Sequence, residues 1–401
     1  MLRRQLPAYS PVTAEALLAA VAAIGRRLFS FSADLGTADV YQQVLETLTR
    51  HFCARALFLA DSGTSALQIA LRATLSDRPG APVALPAYCC YDVATAAAGA
   101  GVPVVLYDVA AHTLAPDLPS LEQALDRGAR AIVVAHLYGM PVDIRPIRER
   151  AAQAGAIVIE DAAQGIGAAI GNAPVGTIGS LSILSFGRGK GLSTGGGGAV
   201  LATDDLGARA LPSPDLRRGE YPAGWRELVR LFGQWLMGRP AVYGIPAAVP
   251  FFHLGEAVYR RPREPGSLSA VAARVLSVTW AVALQEAETR RRNAARLSEY
   301  VSTSRLIPIE PVAHARPGYL RFPVLVPPGE PLEAIPYRHG VARGYPRSLG
   351  ELPQLSGISR NGMAELPGAR ALAGRLYTLP THSRVSEPDL AVLRAWIAGR
   401  A

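Results

Sequence analysis

AIVIEDAAQGIGAAIGNAPVGTIGSLSILSFGRGKGLSTGGGG, residues 156–198, contains two apolar runs of strand type, and each ends in a residue with chemistry. Ile157 to Ile159 leads into Glu160-Asp161, and Leu181 to Phe186 leads into a glycine-dense loop holding one lysine, Lys190. Apolar runs of this length, bounded by glycine and polar residues, read as strands buried on both faces. A carboxylate at the end of one such strand and a lysine just past another is the pair a pyridoxal phosphate enzyme requires. The lysine amine forms a Schiff base with the cofactor aldehyde, and the carboxylate keeps the pyridine nitrogen protonated so that the ring draws electrons.

The glycines also raise nucleotide-binding readings, which the spacing removes. A P-loop needs glycine six residues before the lysine and Ser or Thr directly after it, where this chain has Leu184 and Gly191. Gly187-Arg188-Gly189 lacks the third glycine of a dinucleotide fingerprint because Leu192 stands there, and Gly165-Ile166-Gly167 fails at Ile170. What is left is a tight loop carrying a lysine into a crowded site, with the Ser185 hydroxyl beside it.

Outward from this stretch, seven short apolar segments fall between residues 56 and 202: Ala56 to Ala60, Val83 to Leu85, Val104 to Tyr107, Ala131 to Ala135, Ile157 to Ile159, Leu181 to Phe186 and Ala199 to Ala202. Helix-like stretches, including Thr64 to Leu75, Leu118 to Leu125 and Ile144 to Ala154, separate most of them. The alternation predicts a mostly parallel seven-stranded sheet sandwiched by helices. Ligands gather at the carboxyl ends of the strands in such sheets, which makes Asp61, Asp108, His136 and Asp161 candidates. DSGTSALQIAL, Asp61 to Leu71, opens a helix after the first strand. Ser62 is a suitable N-cap, Gly63 allows a sharp turn, and the free N–H groups at Gly63 and Thr64 offer an anion site for a cofactor phosphate.

The motifs SGTSAL, LPAYCCYDVATAAAGAGVPVVLYDV, HLYGMPVDI, VIEDAAQGIGA, SFGRGKGLSTGGGG and TLPTHSRVSEPDL, in this order, resemble the DegT/DnrJ/StrS family of fold-type I pyridoxal phosphate enzymes. The resemblance runs well over residues 28–205 and loosely over 267–400. It implies a fold-type I large domain over residues 1–266 and a smaller α+β C-terminal domain over 267–401. It implies pyridoxal 5'-phosphate as cofactor, with Lys190 as the Schiff-base lysine, Asp161 on the pyridine nitrogen and Gln164 by the phenolic oxygen. Ser185, Gly63 and Thr64 then form the phosphate cup.

The implied activity is transfer of an amino group from glutamate or glutamine to a keto-sugar nucleotide or related keto compound, in a homodimer whose sites form at the subunit interface. Family members that dehydrate sugars carry histidine where Lys190 stands, so the lysine points to transamination. The alternatives are elimination or carbon–carbon bond formation on a natural-product intermediate, and a non-catalytic relative that keeps the fold as a binding module.

Three departures from the family's pattern concern the substrate. Cys90 occupies the place where many relatives put an aromatic residue over the cofactor ring, with Tyr88 or Tyr91 as substitutes. The GYNYR-like segment that reaches the partner subunit's cofactor is not recognisable; Arg217, Arg218 or Tyr221 are candidates for its work. GYPRSL, Gly344 to Leu349, matches a substrate loop only loosely, leaving Arg343, Tyr345 and Arg347 as possible anion contacts. His382 reads as a packing or capping residue, and His136 is equally suited to lining the site or to sitting satisfied in the core.

Composition frames the rest. Hydrophobic content of 49% with 18% charge excludes a disordered chain. The 41 basic and 32 acidic residues leave +9, but the arginines are scattered and form no recognition stripe, which argues against nucleic acid. Cys53, Cys89 and Cys90 are too few and too badly placed for a disulfide framework or a zinc site, so no metal is expected.

Near the N-terminus, Leu17, Val21, Ile24 and Leu28 recur at helical spacing and Glu15 interrupts the apolar run, so the segment reads as an amphipathic helix and not a signal peptide; the expected compartment is the cytoplasm. Residues 211–266 form a long excursion rich in Pro, Gly, Trp and Arg, too interrupted to span a bilayer. Dimer contact or covering of substrate is its expected role, with membrane-surface contact as the alternative. A long helix over Ser267 to Ser298 and a final helix over Glu387 to Ile397, capped by Ser386, complete the reading.

Overall fold

The computed structural model describes residues 3–29, 33–211, 222–247, 257–329, 335–361 and 366–399. Arg217, Arg218 and Tyr221 lie outside these residues. The helices are α1 (Ala14–Phe29), α2 (Ala33–Phe52), α3 (Gly63–Thr74), α4 (Tyr91–Ala100), α5 (Leu118–Asp126), α6 (Arg145–Gln153), α7 (Asp205–Ala210), α8 (Trp225–Met237), α9 (Pro240–Ala247), α10 (Ala270–Val301), α11 (Pro367–Arg375) and α12 (Glu387–Ala398).

Seven strands make the main sheet: β1 (Ala56–Ala60), β2 (Val83–Pro86), β3 (Val104–Tyr107), β4 (Ala131–Ala135), β5 (Ile157–Asp161), β8 (Leu181–Ser185) and β9 (Gly198–Ala202). The intervening β6 (Ala169–Ile170) and β7 (Ala173–Pro174) pair with β11 (Ala315–Arg316) in a small separate sheet. The main sheet has the order β1-β9-β8-β5-β4-β2-β3. Only β9 is reversed, antiparallel to both β8 and β1; every other pairing is parallel. The strands sit where the apolar runs predict, because a strand covered on both faces needs no polar alternation.

Neighbouring residues on one strand enter different cores, as the pleat requires. Val83, Leu85, Val104, Leu106 and Val133 join α3 and α4 on one face. Ala84, Val105, Tyr107, Ile132 and Val134 join α5 and α6 on the other. Farther along the sheet, Leu184, Ala199 and Leu201 pack against Leu48 of α2 and Leu276 of α10.

The last strands, β10 (Ile307–Pro308), β12 (Phe322–Leu325), β13 (Ala342–Arg343) and β14 (Leu376–Leu379), form a second, antiparallel sheet in the order β10-β12-β14-β13. Its core combines Phe322, Val324 and Leu379 with Leu297 and Val301 of α10 and Leu390, Leu393 and Ile397 of α12. α10, 32 residues and so about 48 Å long, therefore serves both cores. Its start, set by the N-cap Ser269, and the capping box of Ser386 and Asp389 on α12 agree with the sequence to within a few residues.

One amphipathic face differs from expectation. α1 forms, but the residues it buries are Ala16, Ala20 and Ile24, while Val21 is 56% exposed and Leu18 71% exposed. Small alanines let α1 lie close against α10, which turns the larger side chains outward. The Leu28 side chain lies outside the described residues.

Candidate functional site

The register brings the chemistry to one edge of the sheet. Ser185 stands opposite Gly198, and Gly198 opposite Ala60, so the carboxyl ends of β1 and β8 meet where β9 begins. β5 ends beside them, with Asp161 opposite Ile183. An inner cleft at this edge is lined by Gly63, Thr64, Cys90, Asp161, Ser185 and Lys190, six of the seven residues that the sequence assigns to the site. Asp92, in the first turn of α4, lines it as well and was not singled out.

Gly63 is required by close approach. A Cβ added there would lie 2.6 Å from Ser185 Cβ, so the start of α3 rests directly on the serine. Ser62 Oγ accepts from Ser65 N at 3.1 Å. The earlier N–H groups of a helix have no partner within the helix, and here they sit beside the Ser185 hydroxyl in the cleft. This cradle of N–H donors and one hydroxyl, with no room for a side chain, fits a phosphate.

Burial pulls Lys190 downward, but the surrounding Cys90, Asp92 and Asp161 outweigh it and the ammonium is held above its ordinary range. Burial pushes the Cys90 thiol up to about 11, so it is uncharged near neutral pH and the two aspartates carry the attraction there. Cys89 is fully buried and its thiol also pushed up. Neither is an activated nucleophile. Burial raises Asp161 too, against the opposing pull of Lys190 and of the Ala163 N–H that its Oδ1 accepts at 3.0 Å. Its carboxylate thus gains from any further cationic partner placed in the cleft.

Glu160, adjacent to Asp161, points the opposite way and is completely buried. It accepts from the N–H groups of Gly176, Ile178 and Gly179 at 2.6, 2.9 and 2.8 Å and faces His136 Nε2 at 2.9 Å. Burial favours its neutral form, but His136 and these donors prevail and lower its pKa. His136 Nδ1 accepts from Val142 N at 2.9 Å, which places the ring proton on Nε2, toward Glu160. His136 is therefore a satisfied core histidine.

Two more strand-end candidates are also committed elsewhere. Asp61 pairs with Arg263 at 2.8 Å, and Asp108 accepts from Gly368 N and Ala369 N, each at 2.8 Å, at the start of α11.

A wider outer cleft continues from Cys90, Asp92 and Lys190. Gln164 lies on its wall, accepting from Tyr138 N at 3.0 Å and donating to Tyr345 Oη at 3.1 Å. Tyr138, held in the left-handed region at φ 57°, stacks on Tyr345 with ring centroids 6.0 Å apart. Tyr88 is fully buried and its Oη accepts from Tyr345 N at 2.8 Å, while Tyr91 Oη accepts from Arg347 N at 3.0 Å. Both tyrosines support the Gly344–Leu349 stretch, and Cys90 is the side chain that reaches the inner cleft.

Arg343 and Tyr345 line the outer cleft, as do Arg188, Arg260 and Arg321, which the sequence reading missed. It also missed the N-terminal strap: Tyr9 and Ser10 line the cleft, and Ser10 Oγ accepts from Gly191 N at 3.1 Å, one residue past Lys190. Gln234, Met237 and Tyr243 come from the 211–266 excursion. Below the loop, Arg290 is fully buried and lowered by desolvation to about 10, its charge offset by Glu286. His382, also fully buried, donates Nε2–H to Leu6 O at 2.9 Å and takes no place in the cleft.

Comparison with known proteins finds one family and one fold. Residues 39–212 match the sequence model of the DegT/DnrJ/EryC1/StrS aminotransferase family. The chain is 38% identical over 144 residues to UDP-N-acetyl-3-dehydro-alpha-D-glucosamine 3-aminotransferase of Acidithiobacillus ferrooxidans, covering 36% of this chain and 39% of that protein. It is 33% identical over 202 residues to L-glutamine:2-deoxy-scyllo-inosose aminotransferase of Streptomyces kanamyceticus, covering 49% and 47%. The matched segment thus spans less than half the length of either relative. Over nearly the whole chain the fold is that of a DegT DnrJ EryC1 StrS aminotransferase from Brucella abortus, with a TM-score of 0.73, 23% identity and 96% of each chain covered.

Proposed function

We propose that this chain, which through residues 39–212 belongs to the DegT/DnrJ/EryC1/StrS aminotransferase family, is a pyridoxal phosphate-dependent aminotransferase. The observation that carries the reading is one cleft at the strand ends that combines Lys190, Asp161, Ser185 and the start of α3. Pyridoxal phosphate, when bound, supplies an aldehyde and an electron-withdrawing ring. Lys190 would hold it covalently through Nζ, and Asp161 would keep the ring nitrogen protonated. The N–H groups of Gly63 and Thr64, with Ser185 Oγ, would take the phosphate. Cys90, small and uncharged, would pack on the ring, and the second amide proton of Gln164 is available to the ring hydroxyl.

The free Lys190 amine would then serve as base and acid, taking a proton from the donor's α-carbon and delivering it to the cofactor's C4′ within the same half-reaction. It would move one the other way when the acceptor is aminated. Asp92 stabilises the ammonium form of that base. Tyr138, Gln164 and Tyr345 close one wall, and Tyr9 and Ser10 the other, which limits water at the exchanged proton.

The names of the relatives suggest a keto-sugar nucleotide or keto-cyclitol as acceptor and glutamine as donor, with glutamate the donor that the family resemblance adds. Arg188, Arg260, Arg321 and Arg343 suit an anionic substrate group. A division into a cofactor domain, residues 1–266, and a smaller domain, 267–401, accompanies this reading. So do assembly as a homodimer and a cytoplasmic setting, which the unpaired Cys53, Cys89 and Cys90 suit.

The test is spectroscopic. The purified chain with pyridoxal phosphate should develop a visible absorption band, and glutamate or glutamine should convert it to that of the amine form. A stable band that no amino donor changes would remove the aminotransferase reading.

A further inference from the structure

α8 presents Trp225, Val229, Phe232 and Leu236, spaced four, three and four residues apart, as one apolar stripe. On a helix packed against a globular core such a stripe faces inward. Here it faces out: the four side chains are 54%, 69%, 55% and 40% exposed. The side turned toward the protein has an apolar face of its own, Leu231 with Leu228 and Trp235 against Val271 and Val275, so the exposed stripe is a second one, and polar groups flank the inner face. Gln234 Oε1 accepts from Ser193 Oγ at 2.7 Å, the Glu227 backbone lies against Gly195, and only Leu231 is fully buried.

The neighbours extend the patch. α1, packed on α8, adds Leu18 and Val21, and α9 adds Ile245 at 56% exposure. Of the twelve large apolar side chains that stand out from the described surface, seven are on these three helices. That concentration exceeds the scattered exposure expected of a surface without a partner.

The exposed charge beside the stripe is mainly basic, with Glu15 of α1 the exposed acid near Leu18. Arg226 is exposed, and Arg230, 56% exposed, is 3.6 Å from Glu227, itself only 18% exposed. Arg239 lies over the Trp235 ring at 3.9 Å. On α8 and α9 the charge offered to the outside is thus that of arginine, and the whole chain carries +9. A second copy would bring to this face a surface of the same basic charge, with no exposed acid of α8 or α9 to pair with it. An anionic surface complements them. Among the described residues no helix is long and apolar enough to cross a membrane, so the patch suits lying on a bilayer and not spanning it.

We propose that α8, flanked by α1 and α9, docks this protein on an anionic lipid surface, with Trp225, Val229, Phe232 and Leu236 among the acyl chains and the arginines at the headgroups. The opposite sides of α8 and α9 carry Gln234, Met237 and Tyr243 on the outer cleft, so docking holds the cleft one helix away from the lipid. The inference does not depend on the chemistry in the cleft, and its failure would leave that reading untouched.

Flotation of the full chain with phosphatidylglycerol–phosphatidylcholine vesicles, against phosphatidylcholine alone, is the experiment. The wild type should float with the anionic vesicles, less so as salt is raised. V229E/F232E should bind at least tenfold more weakly, and R226Q and R230Q should each cost about fivefold. All these side chains stand in solvent, and an unchanged thermal midpoint would confirm that the variants fold. Two results would overturn the proposal. One is equal recovery of wild type and V229E/F232E with anionic vesicles, or no recovery of either. The other is a dimer in sedimentation velocity that V229E/F232E dissociates without any lipid binding, which would give the face to a second copy.

Discussion

His382 shows how far a side chain's identity can be from its role. It lies in a loop that resembles a family motif, yet it is fully buried, and its ring holds the N-terminal strap at Leu6. Burial depresses it from 6.5 to about 4. An unfolded chain therefore takes up a proton that the folded chain refuses as pH falls from 6.5 to 4. The stability involved is fully present above pH 6.5 and lost by about pH 4, and amounts to about 3 kcal/mol. Denaturant titrations should show the H382Q variant losing less stability than wild type across that window; parallel slopes would contradict the assignment.

Asp161, Ser185 and Lys190 were legible because their spacing linked two strand ends to one loop. The same strand-end rule also selected Asp61, Asp108 and His136, which the structure ties to Arg263, the start of α11 and Glu160. The end of a strand gives the edge at which a residue lies, but an unbroken apolar run does not say which face it enters. Asp92 was hidden for the converse reason, since an acid in the first turn of a helix is ordinary.

The elements were the most legible part of the chain. Buried strands announce themselves as unbroken apolar runs, and all seven fall at the predicted places within two residues. What a run cannot convey is direction, and β9 is the one reversed strand. That reversal brings Gly198 against the start of α3. A Cβ on Gly198 would lie 2.6 Å from both Gly63 N and Ser62 C and 2.7 Å from Leu184 O, all backbone atoms that cannot move independently. G198A should therefore destabilise the fold by about 3 kcal/mol, the upper part of the usual range for overpacking. It should also weaken cofactor binding by displacing the α3 N-terminus. G187A, whose added Cβ would meet only Ser185 Oγ at 3.5 Å, is the control and should be near neutral. Chemical denaturation compares the two; equal midpoints would show that the β9–α3 contact is slack. α1 was half legible: it is a helix as read, but Leu18 and Val21 face outward, and α8 formed in an excursion to which the sequence assigned no element.

At the scale of the whole molecule, the strap at residues 3–10 closes a circuit that sequence order conceals. Arg3 grips Asp389 with two bonds of 2.7 and 2.6 Å, Gln5 Nε2 joins it at 2.9 Å, and Ser10 reaches the backbone beside Lys190. The cap of the last helix is thereby linked to the loop that carries the lysine, through a strap whose Arg3–Asp389 contact joins residues 386 apart. Contacts so distant in sequence leave no local pattern, which is why the N-terminal segment was read only as an amphipathic helix.

Everything proposed for the cleft depends on one covalent attachment. The most direct measurement is borohydride reduction of the full chain with pyridoxal phosphate, followed by peptide mapping by mass spectrometry. The account predicts a single reduced cofactor adduct on Lys190, absent from K190A. Lys190 is the only lysine of the chain, so an adduct on the N-terminal amine alone, or none at all, would contradict it.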